Sequence, residues 1–175
     1  MSAGVLASFE TSPIGPAPIP FLNINLSVSV RAERRRLFQV LTVPEYMETW
    51  LSFPGLLSDS RVAVTSAPQY FRIDHFRARE LDFTVIAGYR TCRRSKLQFS
   101  WHKESGYGSS SSEVDISLRG DFGRTTVALR HSLLSSRADH AWHRDFWEKS
   151  LQQLCLLFDS DIRRESRNHA PPGEV

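Results

Sequence analysis

Six histidines and two cysteines are the residues in this 175-residue chain whose chemistry can turn over near neutral pH, so their spacing is read first. His131 closes the alternation Val127, Leu129, His131, which on a strand turns the imidazole toward the core as a hydrogen-bonding anchor or an acid/base. His75 shares a face with Phe71 and Ile73, which leaves Arg72 and Asp74 on the opposite, solvated face. His140 and His143 stand three apart in a helical stretch, close enough to share a metal. No acidic general base lies between them and no third ligand is evident, so no metal site is assigned. Cys92 and Cys155 are too few for a disulfide framework or a four-cysteine zinc site, and both read as small buried hydrophobes. There is no phosphate-binding loop, dinucleotide glycine pattern or serine-elbow motif. No cofactor is therefore expected, no catalytic residue is assigned, and ATP hydrolysis by this chain is not expected.

The elements that must position these groups follow from periodicity. Leu22, Ile24, Leu26, Val28 and Val30 alternate with polar residues, which predicts a half-buried strand. Ala32 to Leu41 sets Leu37, Phe38 and Leu41 opposite Arg34 to Arg36, a short amphipathic helix, and Pro44 heads a second one ending at Trp50. Strands are predicted near 61–65, 69–77, 80–91, 95–103, 113–119 and 124–134, joined by short connections that imply an antiparallel meander. Gly106 to Ser112 and Gly120 to Gly123 read as mobile hairpin tips. Ser136 and Asp139 have capping-box spacing, and Trp147, Leu151, Leu154, Cys155, Phe158 and Ile162 then step at helical intervals. A long helix over about 139–164 needs a cover for that stripe, and the sheet's concave face is the large apolar surface available. The expected fold is α+β: a curved antiparallel sheet of six or seven strands wrapped around one long C-terminal helix, with two short helices after the first strand.

Length and composition bound the rest. A chain of this size makes one domain, and 41% hydrophobic with 23% charged residues excludes a wholly disordered or fibrous chain. Prolines 13, 16, 18 and 20 mark residues 1–20 as a flexible leader, residues 166–175 read as a flexible tail, and 21–165 as the folded domain. The net charge of +3 comes from short, scattered basic runs, which argues against nucleic acid as a partner. No apolar run reaches membrane-spanning length and the start of the chain lacks a signal-peptide pattern, so the sequence predicts a cytoplasmic protein with no membrane insertion.

The ordered set Leu41-Thr42-Val43-Pro44-Glu45 with Trp50, then Gly88-Tyr89, then Leu97-Gln98-Phe99-Ser100-Trp101, then Thr125-Thr126-Val127 leading to His131, then Trp147 with Leu151 and Leu154, resembles the family named after the activator of Hsp90 ATPase. The element order is similar to the helix-grip fold of the wider START-like and Bet v 1-like superfamily (SRPBCC). In the last helix the family often has a Gly-Trp pair where this chain has Phe146-Trp147. The resemblance implies a cavity between helix and sheet that takes a small hydrophobic or amphipathic ligand. Its expected walls are Trp50, Phe71, Ile73, Phe83, Tyr89, Phe99, Trp101, Trp147, Leu151 and Leu154, with His75 and His131 as polar anchors. Two other readings stay open. One is a polyketide cyclase or dehydratase-like enzyme using a cavity histidine; the other is a contact with Hsp90 of co-chaperone type, for which twenty proline-rich residues do not replace the large N-terminal domain of the eukaryotic co-chaperones. Edge strands of an incompletely closed sheet also offer a route to a homodimer.

Overall fold

Strand β1, Leu22–Val30, keeps its period of two: Ile24 and Val30 are buried while Asn23, Asn25, Ser27 and Ser29 face solvent. This computed structural model describes residues 21–51, 61–106, 108–120 and 123–168, with backbone only over 161–168. The segments assigned from composition to a leader (1–20) and to most of the tail lie outside the described residues. Helices α1 (Arg34–Thr42) and α2 (Pro44–Trp50) are separated by one extended residue, Val43, at φ −92° and ψ 124°. A residue before proline is pushed out of the helical region, so Pro44 both ends α1 and supplies the first turn of α2. Leu37, Val40 and Leu41 are the buried residues of α1, Val40 taking the place expected for the half-buried Phe38.

Strands β2 (Arg61–Ala67), β3 (Tyr70–Arg77), β4 (Glu80–Arg93), β5 (Lys96–Ser105), β6 (Gly108–Arg119) and β7 (Thr125–Leu134) form the predicted antiparallel meander. β1 returns beside β7, giving one seven-stranded sheet in the order β1-β7-β6-β5-β4-β3-β2. The serine run corrects one expectation. Ser109 to Ser112 are not part of a hairpin tip but strand residues, paired with Glu104 to Trp101. Ser112 continues the inward series Val114, Ile116, Leu118, so the register that buries those three buries the serine too. At Gly120, φ is +134° and a Cβ would collide with the Arg124 carbonyl, so only glycine fits there. Cys92 is a second correction: it is exposed, because β4 runs past the core beyond an irregularity between Tyr89 and Thr91.

Helix α3, Arg137–Asn168, starts two residues before the predicted Asp139 and ends four after Arg164. Ser136 Oγ caps it by accepting the Asp139 amide at 3.0 Å. Its buried stripe, which includes Phe146, Trp147, Leu151, Leu154 and Phe158, packs against β1 and the sheet interior. Five such side chains contribute on the order of 10 kcal/mol of transfer free energy, before chain entropy is subtracted. Glu48 ties the small helices to the sheet, its Oε1 accepting the Val64 amide of edge strand β2 at 2.7 Å. Among the described residues no helix is long and apolar enough to cross a membrane.

Candidate functional site

Beneath α3 the interior is a run of rings with two imidazoles in it. Trp101 on β5 lies 5.3 Å from Trp147 and 5.6 Å from Phe146, centroid to centroid. His131 on β7 and His143 on α3 sit edge to face 4.6 Å apart, both fully buried. An indole N–H can only donate, which fixes the sense of every bond that follows. Trp147 Nε1–H donates to His131 Nδ1 at 2.8 Å, so the proton of His131 is on Nε2 and goes to Ser112 Oγ at 2.6 Å. The Ser112 hydroxyl then donates to the Trp101 carbonyl at 3.4 Å. Trp101 Nε1–H donates to His143 Nε2 at 3.1 Å, which leaves the His143 proton on Nδ1. That proton is shared between the Asp139 carbonyl at 2.8 Å and its carboxylate at 3.1 Å. A second proton on His131 would break its bond from Trp147 in a place water does not reach. Burial, followed by the neighbouring His143 and His140, lowers the His131 pKa to about 2.

Asp139 connects this interior to solvent. It lines an open polar pocket of about 240 Å³ together with Lys103, Ser105, Gly108, Ser110 and Ser136. Burial works against its charge, but the His143 N–H and the Lys103 ammonium outweigh that and hold its carboxyl below the usual range. Lys103 places its ammonium 3.7 Å from the centroid of the Trp142 ring and 5.2 Å from that of Phe83. Burial lowers the Lys103 pKa, with Asp139 and Asp82 opposing. The arrangement is a solvent-facing carboxylate, a buried imidazole oriented by it, and a second imidazole behind. Such a set can hold a polar group of a bound molecule, the Asp139 carboxylate accepting from it while it orients His143.

The other expected wall residues are placed as follows. Phe71, Tyr89 and Phe99 make a tilted and edge-on trio at 5.2 to 6.1 Å, with Phe99 reaching Trp101 at 6.2 Å. Tyr89 is half-buried, and that burial pushes its phenol up. Ile73, Leu151 and Leu154 are buried in the same core. Trp50 is buried in the α1–α2 corner, where its Nε1–H donates to the Val40 carbonyl at 3.0 Å. His75 is inward and fully buried, stacked on Phe83 at 4.7 Å with Nδ1 3.1 Å from the Asp82 carboxylate. Burial lowers its pKa against the pull of Asp82. The structure thus brings His131, Trp101 and Trp147 together, and sets His75 at the β3–β4 end, linked through Phe83 and Trp142. Phe146, standing where the family often has glycine, is fully buried among Trp101, Trp142 and Trp147.

Sequence reasoning missed Ser112, His143 and Asp139. Ser112 was signalled by the inward alternation of β6. His143 lies four residues before Trp147 and hence on the buried stripe of α3, while its supposed metal partner His140 turns away, 3.3 Å from the Asn23 carbonyl. Among the described residues no cluster of three or more His, Cys, Asp or Glu could hold a metal.

The family model described as activator of Hsp90 ATPase homolog 1-like protein matches residues 31–159. No curated protein sequence matches the chain. Among solved structures, CalU16 from Micromonospora echinospora is similar at a TM-score of 0.56 and 16% identity, over 83% of this chain and 82% of that one. DynU16, a putative protein in the dynemicin biosynthetic locus, gives 0.60 and 17% over 79% of this chain, which spans only 48% of that protein. The Aha1 dimer from Colwellia psychrerythraea gives 0.55 and 16%, over 78% and 96%. At these identities the likeness is one of fold.

Proposed function

Because the chain belongs to the activator of Hsp90 ATPase homolog 1-like family, we propose that it is a ligand-binding module of the SRPBCC kind, taking a small hydrophobic or amphipathic molecule beneath α3. The observation that carries this is Asp139, which lines an open polar pocket and also holds the buried His143. Behind that polar mouth lies the aromatic interior, whose polar groups are the imidazole pair and Ser112, and an apolar enclosure with few polar groups is the usual make-up of an organic ligand site. Trp101, Phe146 and Trp147 occupy the interior, so uptake requires α3 or these rings to shift.

The same carboxylate–imidazole pair supports a second reading, in which His143, the cavity histidine beside the carboxylate, moves a proton on a bound polyketide-like substrate. The acidic partner that an enzyme of cyclase type needs is present as Asp139, and the fold is shared with a protein from a biosynthetic locus. The Colwellia neighbour is described as a dimer, and a homodimer of this chain would form through an open sheet edge, β1 or β2.

Native mass spectrometry of freshly purified protein, followed by denaturing extraction, tests the binding proposal. A co-purified apolar metabolite, or a thermal shift with fatty acids, flavonoids or polyketides that Phe146→Ala alters, is the expected result. An empty protein that shifts with none of them would overturn it and favour the co-chaperone role, checked by stimulation of an Hsp90 homologue's ATPase.

A further inference from the structure

The groove on the far side of the small helices has a different chemistry from the space beneath α3. It encloses about 510 Å³ between α1, α2 and the later turns of α3. Its apolar side is made by Val40, Leu157 and Phe158, and its rim by Arg35, Arg36 and Tyr46. Arg36 reaches over the Phe158 ring, 5.5 Å from its centroid, so cation and apolar surface are contiguous. Glu33 lines the groove as well, beside the two guanidinium groups.

The placement of those arginines does not serve the helix. The first turn of α1 holds Arg34, Arg35 and Arg36 and no acidic residue, at the end of a helix that already carries partial positive charge. Three like charges there oppose helix formation, and among the described residues Arg35 forms no ion pair. An anion seated between Arg35 and Arg36 would offset both terms. The volume suits one organic molecule, since drug-sized ligands occupy sites of roughly 300–1,000 Å³.

We propose that this groove is a second binding site, for an amphipathic organic anion: an apolar body against Val40, Leu157 and Phe158, and a single acid group on Arg35 and Arg36. A guanidinium recognises a carboxylate, sulfate or phosphate oxygen pair through two parallel N–H donors, and Tyr46 adds a hydroxyl at the rim. The site is separate from the imidazole pair and does not depend on it.

Octyl sulfate, kept monomeric, is the probe, with octanol and methyl sulfate as controls for tail and head alone. Titration followed by amide NMR should give one-to-one binding with shifts confined to α1, α2 and the end of α3, and both controls at least tenfold weaker. Arg35→Gln with Arg36→Gln should lower affinity tenfold or more, and Thr49→Trp, an exposed rim position, should block the groove while leaving the fold intact. Shifts centred on Trp101, His131 and His143, unchanged affinity in the arginine variant, or binding only to anionic vesicles would each overturn the proposal.

Discussion

His131→Gln tests whether the buried imidazole is neutral by design of its surroundings. In the fold His131 has a pKa of about 2, against 6.5 when unfolded. Between those values the unfolded chain binds a proton that the folded chain does not, so stability rises with pH across that window and falls on acidification. The slope for one group is half of about 1.4 kcal/mol per pH unit at the unfolded pKa and approaches the full value below it, so acidifying from pH 6.5 to 4.5 removes about 2 kcal/mol. That is a large share of the roughly 5–15 kcal/mol a domain possesses. Glutamine can accept from Trp147 and donate to Ser112, keeping the donor and acceptor sense without titrating. His75, also lowered by burial, contributes a slope of the same sign to both proteins and cancels in the difference. Urea unfolding followed by tryptophan fluorescence at pH 7.5, 6.5, 5.5 and 4.5 should show the wild type losing about 2 kcal/mol more than His131→Gln over the last two units. Parallel stability curves would refute the reasoning, as would an NMR titration in which the His131 ring protonates in the folded protein above pH 5.

Three further outcomes follow from the same geometry. Trp101→Phe leaves His143 Nε2 without its donor in a dry site, and should cost about 1–3 kcal/mol with a melting temperature lower by several degrees in differential scanning fluorimetry. Lys103→Met keeps the aliphatic stem but removes the charge over Trp142; a loss of about 0.5–2 kcal/mol is expected by urea denaturation, persisting at high salt because the pair is partly buried. Arg79→Gly relieves a left-handed residue, φ +72°, in the two-residue β3–β4 turn and should stabilise by about 1 kcal/mol in the same assay.

What the sequence made legible was whatever obeys a period. The alternation of Leu97, Phe99 and Trp101, and of Val114, Ile116 and Leu118, placed β5 and β6 with the correct face inward. Pro44 fixed the start of α2 to the residue, because a proline has one good place in a helix. Composition misled at Ser109 to Ser112, where side chains that favour turns were held in a strand by pairing on both sides of β6. The site was half legible. His131 could be read from its own strand, but its partners could not, because Ser112 meets it through the β6–β7 register and Trp147 and His143 only through the packing of α3 onto the sheet. Asp139 was recognised as part of a helix cap, and its second role depends on a helix turn that brings His143 round to its carboxylate.

A hydrogen-bonded pair in a core can serve the fold or serve a ligand, and a double-mutant cycle on His131 and Trp147 separates the two. Removing one partner strands the other: His131→Leu leaves the Trp147 N–H without an acceptor, and Trp147→Phe leaves His131 Nδ1 without a donor, each at about 1–3 kcal/mol. Removing both replaces a polar pair by apolar groups of similar size, which is close to neutral once no orphan remains. The double variant should therefore lie at least about 1 kcal/mol above the sum of the singles in unfolding free energy. If the double costs the full sum, the two residues act independently and the bonded network is not a unit. If the double is as stable as wild type yet no longer takes up the ligand found with the native protein, the imidazole pair is retained for what it binds rather than for what it holds together.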